Sequence, residues 1–131
     1  MFLRTLPLTF VLLATLGCPP AQQGGSSGGS AAPTAAEREE AKTVFAQRCT
    51  PCHGPKGAGD GPASAGLNPK PRDLSGGPWQ DSVDDDYIEK ILKSGGAAVG
   101  KSPAMPGNPD LAGKPGVLAA LREHIRGLRA P

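Results

Sequence analysis

The segment Cys49-Thr50-Pro51-Cys52-His53 contains the residues whose types and spacing are best suited to chemistry. Two thiols three positions apart on a tight turn can reach the two vinyl groups of one porphyrin and form thioether bonds with them. The residue that follows then places an imidazole under the porphyrin iron. Because Cys-x-x-Cys-His is the attachment signature of haem c, the segment predicts one covalent haem, held by Cys49 and Cys52 and ligated by His53.

Two other kinds of site use the same residue types. A Cys-x-Pro-Cys pair also resembles thiol–disulfide motifs, but those stand at a helix start after a β-strand, and here a helix is predicted before the pair. A structural zinc site needs four ligands, and only His124 and acidic residues remain, without finger-like spacing. Both alternatives stay open beside haem, and a measurement of haem content distinguishes a haem protein from either of them.

Met105 is the candidate for the second ligand of the iron. Met1 falls in a predicted signal peptide, so Met105 is the only methionine expected in the mature chain. It lies in a loop between Pro103 and Pro106 and not on a helix face, which favours a side chain held at one fixed point. The alternative is a methionine that fills the core. A Met/His pair raises the reduction potential and leaves no open coordination position, which suits electron transfer better than oxygen or peroxide chemistry.

A helix over residues 35–48 is predicted to lead into the cysteine pair. Thr34 is a suitable N-cap, and Glu37 completes a capping box with it. Pro51 is expected to end any regular continuation of this helix, because proline lacks the N–H that the next turn requires.

Two further helices are predicted after the cysteine pair. One covers residues 83–93, with Ser82 as its cap and Asp85 at the box position, and Gly95 follows as its C-terminal stop. The other covers residues 116–128 and carries an apolar face at helical spacing. No segment alternates like a β-strand, so the sequence predicts an all-α fold.

The connections between these helices are long and rich in Gly and Pro. Residues 54–80 and 97–116 are predicted to be loops, because neither helix nor strand tolerates so many of these residues. A structureless segment of this length normally argues against a compact domain. It becomes reasonable if the loops wrap a bound ligand.

The N-terminal part of the chain reads as a targeting segment. Arg4 precedes a short apolar stretch, so residues 1–17 are predicted to be a signal peptide. Thr15-Leu16-Gly17-Cys18 resembles a bacterial lipoprotein signal, although Leu usually stands where this chain has Thr15, and it implies a lipid anchor on Cys18. The alternative is an ordinary cleaved signal peptide. Residues 18–34 are then an anchor and a flexible Gly/Ser/Pro linker, and residues 35–131 are the folded domain.

Composition excludes one class of partner. The formal net charge is only +2, and no basic stripe is interleaved with aromatic residues, so nucleic-acid binding is not expected. Gly (19) and Pro (15) are abundant and aromatic residues make up 4% of the chain. A domain with so few large apolar side chains would gain much of its core from an apolar cofactor.

The order of these motifs resembles that of class I mono-haem bacterial c-type cytochromes. The resemblance covers about residues 35–129 and rests on five segments in sequence: Ala41-x-x-x-Phe45-x-x-x-Cys49, the Cys49–His53 segment, the Gly/Pro-rich residues 54–74, Ser102-Pro103-Ala104-Met105-Pro106, and the helix from Leu118 to Leu128. It implies a cytochrome c fold, with three or more helices and long loops wrapped around one haem, and it agrees with His53 and Met105 as axial ligands.

The resemblance also implies roles for residues around the haem. The carbonyl of Pro62 is expected to accept the second ring N–H of His53. Arg72 is a candidate partner for a haem propionate, with a solvated arginine as the alternative, and Trp79 is placed either at the haem edge or in the core. His124 stands where the family often has an aromatic residue facing Phe45.

The function predicted from the sequence is that of a single-electron carrier rather than an enzyme, exported to the periplasmic side of a bacterial membrane. Its partners would be redox proteins, with no small-molecule substrate. Lys56, Lys70, Lys101 and Lys114 are either a basic rim for an acidic partner or ordinary solvated lysines. The alternative function is a haem-based sensor, or the haem subunit of an oxidoreductase, in which Met105 is a labile ligand.

Overall fold

A computed structural model describes residues 32–131, and its regular structure is helical. The α-helices are α1 (Ala35–Val44), α2 (Thr50–His53), α3 (Gly77–Ser82), α4 (Asp85–Ser94) and α5 (Pro115–Gly127). Short 3-10 turns lie at Pro62–Gly66, Ala97–Val99 and Pro109–Gly113. The predicted all-α class is confirmed, because 61% of the described residues are helical and none of them lies in a strand.

Several predictions concern residues outside the described range. The signal peptide at residues 1–17, the lipid anchor on Cys18 and the linker as far as residue 31 all lie there. From residue 32 to the C-terminus, no helix combines the length and the apolar character needed to cross a membrane.

The first helix begins as the sequence predicts but ends differently. The Thr34 hydroxyl accepts from the Glu37 N–H, and the Glu37 carboxylate accepts from the Thr34 N–H at 2.7 Å, which confirms the capping box. A π-helical turn, Phe45–Cys49, then joins α1 directly to α2. The expectation that Pro51 ends the helix is wrong. Pro51 occupies the first turn of α2, where a missing N–H costs little.

The π turn explains how the helical path passes Pro51. The Thr50 N–H donates to the Phe45 carbonyl five residues earlier, and the Thr50 hydroxyl donates to the same oxygen at 3.2 Å. The wider turn therefore shifts the hydrogen-bond register just before the proline. The path ends at Gly54, whose φ of +76° favours glycine.

The core lies mainly between α1 and α5, the two ends of the domain. Its buried apolar residues are Ala41, Val44, Phe45, Leu74, Ile88, Leu92, Leu111, Val117, Leu118, Ala120, Leu121 and Ile125. Helix α5 follows the predicted 116–128 closely, and α1 packs along it. An ion pair between Arg38 and Glu123 joins the two helices at the surface. The first and last helices of the domain thus pack against each other.

The middle of the chain contains a helix that the sequence did not predict. Helix α3 starts at Gly77-Pro78, a proline in the first helical turn, and its last residue is Ser82. Ser82 is therefore not the cap of α4, as predicted. Asp84 takes that role, and its carboxylate accepts from the Tyr87 N–H at 2.7 Å. Gly95 ends α4 as expected, with φ +79°.

Candidate functional site

One cavity of about 950 Å³ lies between the attachment turn (residues 49–53), the 67–74 loop, α4 and the Met105 segment (residues 99–108). Its volume is at the upper end of the roughly 300–1,000 Å³ range of small-molecule sites. The residues expected around a haem all line it except Pro62, namely Cys49, Cys52, His53, Arg72, Trp79 and Met105. The structure thus gathers residues far apart in the sequence around one space.

The attachment turn presents both thiols from one side of a helix. Cys49 is the last residue of the π turn, and Cys52 follows one helical turn later in α2. Residues three apart on a helix lie on the same face. Both side chains are free thiols, half-buried in the cavity wall.

The chemistry of Cys49 differs from that of a redox-active dithiol. Burial raises the pKa of the Cys49 thiol to about 11, against a smaller opposing effect from Arg48. Reactive cysteines in disulfide exchange have lowered pKa values, because the thiolate is the attacking species. The environment of Cys49 therefore weighs against the thiol–disulfide alternative.

His53 is held in a form suited to iron. Its ring is buried, and Nδ1 lies 2.9 Å from the Arg72 carbonyl. A carbonyl oxygen can only accept, so Nδ1 carries the proton and Nε2 keeps a free lone pair. Burial lowers the pKa of His53, although the bond to Arg72 opposes the shift. A neutral imidazole is the form that ligates a metal.

The identity of that carbonyl corrects one prediction. Pro62 was expected to accept from His53, but Arg72 does so, and Pro62 instead begins an exposed 3-10 turn. Arg72 therefore contributes through its backbone, whereas its side chain was expected to contact a propionate. That side chain is exposed at the cavity wall.

Packing of the loop explains why Arg72 reaches His53. The Gly59 N–H donates to the His53 carbonyl at 2.8 Å, and the Leu74 N–H donates to the Gly57 carbonyl at 2.6 Å. A Cβ on Gly59 would lie 2.6 Å from the Pro71 carbonyl oxygen. Residues 71–74 thus lie directly against the glycine-rich turn, and only glycine at position 59 permits this approach.

Met105 is fixed by the C-terminal end of α4. Its carbonyl accepts from the Gly96 N–H at 2.9 Å, and its own N–H donates to the Ser102 carbonyl at 3.2 Å. Gly107 passes so close to α4 that a Cβ there would lie 2.6 Å from the Lys93 carbonyl oxygen. The Met105 side chain is half-buried in the cavity wall.

The chemistry of these groups fits a haem. The cavity offers two thiols on one helix face, a neutral imidazole with its Nδ1 already bonded, and a thioether on a separate loop. Leu67, Leu74 and Ile91 add apolar wall. No cluster of three or more His, Cys, Asp or Glu side chains able to hold a metal ion is found in residues 32–131.

The remaining residues singled out in the sequence fall into two groups. Lys70 and Lys101 line the cavity, whereas Lys114 pairs with Glu40 on the outside of α1 at 2.6 Å. His124 packs edge-on against Phe45, with ring centroids 4.5 Å apart, as an aromatic residue would there. His124 does not line the cavity.

Two residues of the cavity wall were missed in the sequence. Arg48 directly precedes Cys49, and its guanidinium donates to Asn108 Oδ1 at 3.2 Å. Asn108 follows Met105 closely and binds the Leu92 carbonyl through both its N–H and its side-chain amide. The Asn-Pro pair at 108–109 was a usable signal, because asparagine before proline commonly begins a turn.

Comparison with protein families gives one match. The family model described as "Cytochrome c" matches residues 38–126, which is more than half of the chain. No curated protein matches the chain. No solved structure matches it either.

Proposed function

Because this chain belongs to the cytochrome c family, we propose that it carries single electrons through one covalently bound haem whose axial ligands are His53 and Met105. Membership itself implies covalently bound haem c and haem-based electron transfer, and such proteins are generally carriers rather than enzymes. The single haem and the ligand pair are our proposal. When bound, the haem iron supplies the one-electron Fe(III)/Fe(II) couple.

The observation that carries the proposal is the convergence of His53 and Met105 on one cavity. They come from different elements, His53 from the attachment turn and Met105 from the loop after α4. His53 has only Nε2 available for the iron, since Nδ1 donates to Arg72. Cys49 and Cys52 would hold the porphyrin beside that imidazole.

The surroundings of these side chains favour electron transfer over ligand chemistry. Backbone hydrogen bonds fix the ends of the Met105 segment to α4. A Met/His pair fills both axial positions and raises the potential. Ligands that are already held in place would limit rearrangement between oxidation states, which is what a carrier needs.

The first experiment is the absorption spectrum of the purified holoprotein in both oxidation states. We expect a haem c spectrum with the far-red band that reports a Met–Fe(III) bond, and no change on adding carbon monoxide to the reduced protein. Met105→Ala should remove the band and allow carbon monoxide to bind. Val99→Ala, a matched change in the cavity wall without a ligating atom, should keep the band.

Each other outcome has a distinct meaning. Haem c without the far-red band in the wild-type protein would contradict Met105 ligation and favour a sensor or an oxidoreductase subunit. A chain that carries no haem after expression with the attachment machinery would contradict the whole proposal. A protein with two haems per chain would contradict the mono-haem assignment.

We also propose that the protein is exported and anchored through a lipid on Cys18. Cytochrome c domains are typically extracytoplasmic, and Cys18 ends a lipoprotein-like signal with a Gly/Ser-rich linker after it. Cys18→Ser should move the holoprotein from the membrane fraction to the soluble fraction without changing its spectrum. If wild type and variant fractionate alike, the anchor is wrong.

The redox partner is proposed to be a protein with an acidic docking face. Lys70, Arg72 and Lys101 are exposed residues of the cavity wall and outnumber its exposed carboxylate, Asp84, so the net charge there is positive. Opposite charges speed encounter, and the effect falls with salt. Lys114, which is bound to Glu40, is not part of this surface.

A further inference from the structure

The segment that carries Met105 is attached to the rest of the domain on two sides. On one side it is bonded to α4: Gly96 binds the Met105 carbonyl, and Asn108 binds the Leu92 carbonyl twice, at 3.0 Å through its N–H and at 2.9 Å through Nδ2. All these partners belong to one element or its end. They cannot by themselves set how far the segment stands from the attachment turn across the cavity.

The second attachment crosses to the attachment turn. The Arg48 guanidinium donates to Asn108 Oδ1 at 3.2 Å and to the Asp110 carboxylate at 2.9 Å and 3.1 Å. Arg48 is the neighbour of Cys49, and Asn108 lies three positions after Met105. The Arg48 side chain thus connects the attachment turn beside Cys49 to the segment that carries Met105.

The geometry of Asn108 makes this connection directional. Its Nδ2 is committed to the Leu92 carbonyl, so Oδ1 is the atom left to accept from Arg48. The hydrogen bond between Arg48 and Asp110 raises the pKa of Arg48 and lowers the pKa of Asp110. Both groups therefore stay charged over the whole range in which the protein would work.

We propose that Arg48, through Asn108 and Asp110, is a positioning residue that straps the Met105 segment across the haem cavity and limits how often Met105 leaves the iron. This inference rests on the proposed His53/Met105 ligation. It predicts that loss of the strap increases the population of the open segment, in which the sixth position of the iron is accessible to an external ligand.

The chain offers a matched control for this strap. Lys114 and Glu40 form a second ion pair between the first helix and the residues after the Met105 segment. The Lys114 and Glu40 side chains are 48% and 44% exposed, close to the 43% and 47% of Arg48 and Asp110. Neither Lys114 nor Glu40 lines the cavity. Removing this pair tests whether any surface ion pair in the region has the same effect.

The experiment measures the rate at which imidazole binds to the ferric holoprotein under conditions where opening limits the rate. Imidazole at a pH above its own pKa is uncharged, so a changed site charge does not alter its encounter with the protein. Exposed ion pairs are typically weak, so we expect Arg48→Leu and Asp110→Asn each to raise the rate about two- to fivefold. Lys114→Leu should leave it unchanged.

Two further comparisons separate a strap from a charge effect and from general destabilisation. Arg48→Leu and Asp110→Asn change the site charge in opposite directions, so an effect of charge alone would move the two rates apart. The double variant should match Arg48→Leu, because Asp110 acts on the segment through its bond to Arg48, and Asp110→Asn alone leaves the Arg48–Asn108 bond in place. Denaturant unfolding should show similar losses of stability for Arg48→Leu and Lys114→Leu, although only the first affects imidazole binding.

The outcomes distinguish this inference from the proposed function. If wild-type ferric protein lacks the far-red band, Met105 is not the ligand and both proposals fail. If the band is present and both strap variants bind imidazole at the wild-type rate, the strap alone is wrong. Equal acceleration in Lys114→Leu would also overturn it, since the effect would then belong to any ion pair near the segment.

Discussion

Substitution of Gly61 tests how closely the glycine-rich loop packs on the attachment turn. A Cβ on Gly61 would lie 2.5 Å from the Thr50 carbonyl oxygen and 2.6 Å from the Pro51 carbonyl carbon, and nearer still to the Pro51 carbonyl oxygen. These are backbone atoms of the residues between Cys49 and Cys52. They cannot rotate away as a side chain could, so Gly61→Ala must push the loop and the turn apart.

The backbone conformation of Gly61 isolates this steric effect. Its φ is −60° and its ψ is 155°, which any residue adopts. Forcing a methyl group into a packed region costs about 1–3 kcal/mol. For a domain of this size, that loss lowers the melting temperature by roughly 5–20 °C. Displacement of the turn should also lengthen and weaken the hydrogen bond from the Gly61 N–H to the Cys52 carbonyl, which is 3.1 Å in the wild-type structure.

Gly66, in the same loop, is the matched control. A Cβ at Gly66 meets no atom within 4 Å. Gly66→Ala should therefore leave stability unchanged or raise it by up to about 1 kcal/mol, because alanine restricts the unfolded chain. Both variants are compared by guanidinium unfolding of the holoprotein, followed by far-ultraviolet circular dichroism. Gly61→Ala within about 0.5 kcal/mol of wild type, or an equal loss in Gly66→Ala, would refute the packing argument.

Three further predictions concern the core. Burial lowers the pKa of His124, so the unfolded state binds a proton there more readily. The free energy of unfolding should therefore fall as the pH drops below about 6.5. His124→Phe should remove this part of the pH dependence, measured by denaturant titrations at several pH values. Gln80 is buried and donates to the Leu74 and Ile125 carbonyls at 2.7 Å and 2.9 Å; Gln80→Leu should cost about 2–4 kcal/mol in the same assay, and a loss below 1 kcal/mol would contradict the role of these bonds. Leu111 is 0% exposed, so Leu111→Ala should cost about 2–5 kcal/mol by thermal melting; a near-neutral result would show that the cavity collapses.

Local signals predicted the elements that depend on neighbouring residues. The capping box at Thr34 and the stop at Gly95 were read correctly, because a cap is decided within one turn of chain. Ser82 was wrong for a related reason. Both Ser82 and Asp84 can cap a helix, and Asp84 caps α4 because Ser82 is already the last residue of α3, which has Pro78 in its first turn.

Features set by tertiary packing were not readable from the sequence. Pro51 suggests a helix end, yet the π turn before it carries the helical path onward to His53. The carbonyl that orients His53 depends on how the loop folds back over Gly59, and the family resemblance had placed that role on Pro62 instead of Arg72. The types of the site residues were therefore predictable, whereas the backbone contacts that orient them were not.

The packing of α1 against α5 has a consequence for the order in which the protein forms. Arg38 and Glu123, paired across these helices, are 85 positions apart, so the core closes only when the last residues of the domain arrive. Closure of so long a loop is unfavourable until its contacts form. The cysteine pair is synthesised well before α5, while the chain is still open. If a haem is attached to the two thiols as proposed, attachment can therefore precede folding, and the core would then close around a group already bound to an unfolded polypeptide.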